Sequence, residues 1–101
     1  MKDIKITVVA SLLMEDLIAE YGAPGIGLCT RHKVGDSYIA PGDKAPEGFC
    51  EEAWKSIGHF AFAMAHGVEV FWPQWISKPH LAIASCNDGL RPVVFKLETI
   101  E

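Results

Sequence analysis

A chain of 101 residues, half of them hydrophobic and 22% charged, has the composition of one globular domain spanning residues 1–101, and a disordered chain is excluded. The formal net charge of −4 and nine scattered basic residues exclude the clustered cation patch that a nucleic-acid partner requires. No stretch approaches the roughly 20 apolar residues of a membrane span.

The apolar run Ile6–Met14 is interrupted by Thr7 and Ser11, is followed at once by Glu15 and Asp16, and offers no small-residue cleavage site. It therefore reads as part of the domain and not as an export signal. Three cysteines, an odd number, then point to unpaired thiols in a cytoplasmic protein.

Residues Asp3 to Val9 alternate, with Ile4, Ile6 and Val8 on one side and Lys5, Thr7 and Val9 on the other, which predicts a half-buried strand. From Ser11 the spacing becomes helical: Leu13, Met14, Leu17, Ile18 and Tyr21 form a stripe, with Ser11 as N-cap and Gly22 as stop. The glycine- and proline-rich stretch from Gly22 to Gly48 is irregular except for a short strand, Ser37–Ala40, entered through a Lys33–Asp36 turn. Cys50 to His66 predicts the longest helix, with Cys50, Trp54, Ile57, Ala61, Met64 and Ala65 on one stripe and Gly67 at its end. An aromatic loop, Val70–Trp75, leads to alternating strands at His80–Cys86 and Pro92–Ile100, joined as an antiparallel hairpin by Asn87-Asp88-Gly89. Ala82 and Ala84 are small enough for a helix to approach that face closely. The expected fold class is α+β: a single small domain in β-α-β-α-β-β order, with a mainly antiparallel sheet and two helices on one face.

Four residues are candidates for chemistry: Cys29, His32, Cys50 and Cys86. A cysteine at a helix start has its thiolate favoured by the helix dipole, and an imidazole such as His32 completes the activation. Against an activated Cys50 stand Glu51 and Glu52, whose charges oppose a thiolate. Cys29-x-x-His32 also has the spacing of half a zinc site. Only one ligand pair is close, so neither a metal nor a cofactor is assigned, and cysteines serving as small buried hydrophobes are the plainer reading. Arg91, beside the hairpin turn, suits a carboxylate or phosphate, or else an ion pair with Asp36 or Asp88. Phe71, Trp72 and Trp75 supply a pocket wall, a core or a subunit contact, and a homo-oligomer is expected. His59, His66 and His80 read as surface residues.

Three stretches resemble a family of short uncharacterised prokaryotic proteins: Gly27-Leu-Cys29-Thr-Arg-His32-Lys-Val-Gly-Asp36, Pro46-Glu-Gly-Phe-Cys50-Glu-Glu-Ala-Trp54 and Cys86-Asn-Asp-Gly-Leu-Arg91-Pro-Val-Val-Phe95. The resemblance runs over nearly the whole chain. It implies that Asp36 and Trp54 belong with Cys29, His32, Cys50, Cys86 and Arg91 in one shared pattern, the first two with Arg91 on the ligand-binding side. It carries no activity with it. The expectation is a small-molecule-binding domain, with or without enzymatic activity, whose Cys/His/Arg site takes an anionic or carbonyl ligand. The alternatives are a structural or interaction module with buried cysteines and, third, a zinc-stabilised domain.

Overall fold

The computed structural model describes residues 1–100. Six elements follow in order: β1 (Asp3–Ser11), α1 (Glu15–Tyr21), β2 (Ser37–Ala40), α2 (Glu51–Ala65), β3 (Leu81–Ser85) and β4 (Val93–Ile100). The strands form one antiparallel sheet in the order β2-β1-β4-β3, so the α+β architecture is the one expected. No helix is long and apolar enough to cross a membrane.

Alternation decides which side of the sheet becomes the core. Ile4, Ile6 and Val8 of β1, Val93, Phe95 and Leu97 of β4 and Ala82 of β3 are all fully buried on one face. Onto that face α2 lays Ala53, Ile57, Ala61, Met64 and Ala65, and the alanines let helix and sheet approach closely. Each large side chain so buried stabilises the fold by about 1.5–3 kcal/mol relative to exposure. The helix stops in a Schellman motif: Gly67 holds φ at 107°, its N–H reaches the Met64 carbonyl and that of Val68 reaches Ala63. Its first turn carries Glu51 and Glu52 and no side-chain cap.

The start of α1 differs from expectation. Ser11 is not a helix cap but the last residue of β1, and α1 begins at Glu15 with Met14 before it. A bulge leaves Val9 unpaired and lets Ala10 and Ser11 pair with Val94 and Val93. Leu12 and Met14 then donate to the carbonyls of Pro92 and Leu90. These main-chain bonds replace the single bond a serine cap would make. α1 itself buries no residue, and it is α2 that forms the layer over the sheet.

Candidate functional site

The loop before β2, the start of α2 and the β3–β4 turn meet around a cavity of about 360 Å³. Its lining includes Cys29, His32, Cys50, Cys86 and Arg91, together with Arg31, Glu52, Asn87 and Asp88. Asp36 and Trp54 lie outside it. Asp36 shapes its own turn, accepting the Lys33 N–H at 3.0 Å, and its carbonyl docks that turn on Val8 of β1. Trp54 packs edge-on against Phe49 and covers Gly58, where an added Cβ would come within 2.9 Å of the indole.

His32 is the hub of the assembly. It is 2% exposed, wedged among the rings of Tyr38, Phe49 and Phe95. The backbone N–H of Cys50 can only donate, so His32 Nε2, 3.4 Å away, is the accepting nitrogen. The ring proton therefore sits on Nδ1 and is donated to the Tyr38 hydroxyl at 3.0 Å. Burial lowers the imidazole pKa, the Arg31 charge lowers it further, and Asp36 opposes both. Burial, assisted by Asp36, raises that of the Tyr38 phenol. A neutral imidazole with both nitrogens occupied is a strut: it fixes where α2 begins and thereby where Cys50 stands.

The three cysteines are free and partly exposed. Two of their sulfurs are held by main-chain donors: Arg31 N–H to Cys29 Sγ at 3.4 Å, and Val93 N–H to Cys86 Sγ at 3.3 Å. Among the described residues, no hydrogen bond engages the sulfur of Cys50. Covalent geometry keeps a cysteine sulfur within about 4 Å of its own nitrogen, so Cys50 Sγ and His32 Nε2 are at most about 7.5 Å apart. Among the described residues, no group of three or more His, Cys, Asp or Glu side chains is disposed to hold a metal ion.

Arg91 pairs with Asp88, one of the two partners open in the sequence, through Nε at 3.0 Å. Asp88 is itself fixed by the N–H groups of Leu90 and Arg91 at 2.9 and 3.1 Å, an Asx turn that sets the loop. Those bonds, the Leu90 amide first, hold the Asp88 carboxyl below the usual carboxylate range. Asn87 ties the same turn to α2, donating to the carbonyl and side chain of Glu52. Arg31 donates to the carbonyls of Gly48 and Phe49, closing the loop against the chain that enters α2. Neither Arg31 nor Tyr38 stood out in the sequence. The inward place of Tyr38 in a strand of period two was the available signal for one, and the position of Arg31 between Cys29 and His32 for the other.

No family model matches the chain, nor does any curated protein or solved structure.

Proposed function

We propose that the chain is a small-molecule-binding domain whose ligand, a small anion or carbonyl compound, occupies the cavity between the Cys29–His32 loop, the start of α2 and the β3–β4 turn. The observation that carries this reading is the lining: three partly exposed thiols and a braced guanidinium share one concave space of about 360 Å³. Pockets of this size with a few convergent polar groups are the usual form of small-ligand sites. Partial exposure also weighs against the alternative that the cysteines act only as buried hydrophobes. Membership of the prokaryotic family suggested by the motifs, and a cytoplasmic setting with reduced thiols, belong to the same reading. So does a homo-oligomer formed through the aromatic segment and the apolar side of α2, where Trp72 and Phe62 are 50% and 54% exposed, respectively.

The test is thiol protection. Native protein is alkylated with iodoacetamide, and the labelled cysteines are counted by mass spectrometry with and without millimolar small carboxylates, phosphate and aldehydes. At least one of these is expected to slow labelling of Cys29, Cys50 or Cys86 and to raise Tm. Unchanged labelling and Tm with every compound would remove the reading.

A further inference from the structure

Within this cavity the groups left available for a ligand are few. Glu52 is engaged by Lys55 at 2.9 Å and by Asn87 at 3.1 Å. Asp88 is consumed by its own turn and by Arg91 Nε. The Asp88 contact fixes the plane of the Arg91 guanidinium, and among the described residues its two terminal nitrogens have no partner. A fixed guanidinium edge with two parallel donors matches a carboxylate.

The thiols narrow the choice further. The sulfurs of Cys29 and Cys86 each accept a backbone N–H, whereas that of Cys50 is engaged by none, and His32 holds the backbone of Cys50 in place. Of the three, Cys50 has the sulfur lone pairs free for a bond to carbon. Arg91 and the three cysteines line one cavity of about 360 Å³, so a ligand seated on Arg91 shares that space with the thiols.

Resting on the small-molecule reading above, we infer that the ligand is a short α-oxo carboxylate, anchored by its carboxylate on Arg91 and captured at its carbonyl carbon by Cys50. The Cys50 sulfur forms a C–S bond to that carbon, and the C=O π pair moves onto oxygen. The thiol proton passes to that oxygen through solvent, which gives a hemithioacetal. Nothing is oxidised or reduced, no group leaves, and the reversal of the same steps releases the ligand. The neighbouring carboxylate makes such a carbonyl more electrophilic than that of a simple ketone, so one ligand satisfies both features of the cavity.

The experiment uses glyoxylate labelled with ¹³C at the aldehyde carbon, added to the full chain and followed by ¹³C NMR. A new protein-bound resonance is expected with the wild type and with Cys29→Ser and Cys86→Ser, and none with Cys50→Ser. Cys50→Ser should keep the wild-type circular dichroism and still bind glyoxylate non-covalently by calorimetry. Arg91→Gln should weaken binding about tenfold or more, the scale of lost charge-assisted hydrogen bonds. An adduct that persists in folded Cys50→Ser, or glyoxylate affinity unchanged in Arg91→Gln, overturns the assignment. If oxalate or phosphate protects the thiols and glyoxylate does not bind, the α-oxo inference fails while the binding pocket stands. If no small anion or carbonyl compound protects them, both fail.

Discussion

The irregular chain before α2 and the irregular chain after it are secured by different physics. Before the helix, one buried imidazole collects directed bonds: Cys50 N–H on one nitrogen, Tyr38 on the other, with Arg31 reaching across to the carbonyls of Gly48 and Phe49. After the helix, residues 68–80 are held by packed rings, Phe60 of α2 meeting Phe71 and Trp72 edge-on and Trp75 at a tilt, with centroid separations of 5.1–6.3 Å. Main-chain bonds supplement them: Val68 donates its N–H to the Ala63 carbonyl, and His80, at a φ of 61°, donates its own to the Glu69 carbonyl while its carbonyl accepts that of Thr99. Directed bonds fix atoms to within a few tenths of an ångström, while ring packing accepts several arrangements of similar energy. The first kind of closure suits a site that must place a sulfur. The second suits a surface that must cover area.

The sharpest way to break this contrast is His32→Ala. The change removes a buried ring and leaves the Cys50 N–H and the Tyr38 hydroxyl without partners. A loss of about 3 kcal/mol is expected in urea unfolding, with faster alkylation of Cys50 in the native state. A loss below about 1 kcal/mol would mean that the loop is not organised around the imidazole. Trp75→Ala is the matching change on the other side. Since Trp75 is already 37% exposed, a smaller loss of about 1–2 kcal/mol is expected, with thiol labelling as in the wild type. The proposed oligomer should also weaken, read as a lower mass by light scattering; a wild type that is already monomeric at micromolar concentration removes that part.

A pH series gives the smallest effect. In the unfolded chain His32 titrates near the ordinary imidazole value of about 6.5. In the native state burial, aided by Arg31, lowers it. Below about pH 6.5 the unfolded chain therefore takes up a proton that the native state declines. Stability falls there by up to about 1.4 kcal/mol per pH unit until the folded group titrates too, and above that pH the contribution is flat. The difference between wild type and His32→Gln in urea unfolding, followed from about pH 7.5 to 5, isolates the imidazole. Equal slopes would contradict a buried neutral ring.

The elements with uninterrupted periodicity were legible in the sequence. Ile4, Ile6 and Val8, and Val93, Phe95 and Leu97, alternate without a break, and their inward faces follow directly. The bulge at Val9 was not legible, because it depends on what β4 offers across the ladder, and so Ser11 read as a cap. The stripe on α1 was visible, but periodicity shows only that an apolar face exists and not what covers it. At the cavity, residue type and nearness to turns pointed to Cys29, His32, Cys50, Cys86 and Arg91. The resemblance of the motifs drew in Asp36 and Trp54, whose hydrogen bonds and ring contacts lie elsewhere. The partnership of His32 with the Cys50 amide spans 18 residues and arises only once the loop has closed, so no local pattern announces it.

The sheet order sets a timetable for folding. The central pair joins β1 to β4, with Asp3 opposite Ile100, so the two strands farthest apart in this sequence must meet. In the folded chain α2 and the β3–β4 hairpin meet over shorter sequence distances, Ser56 donating to the Ser85 carbonyl at 2.7 Å. Until β4 is in place, β1 lacks the strand that closes one of its edges, and an open edge invites pairing with another chain. The ring contacts of His32 are likewise complete only with Phe95 of β4 in place. The cavity, lined by residues on both sides of the β3–β4 turn, is therefore complete only when β4 is paired.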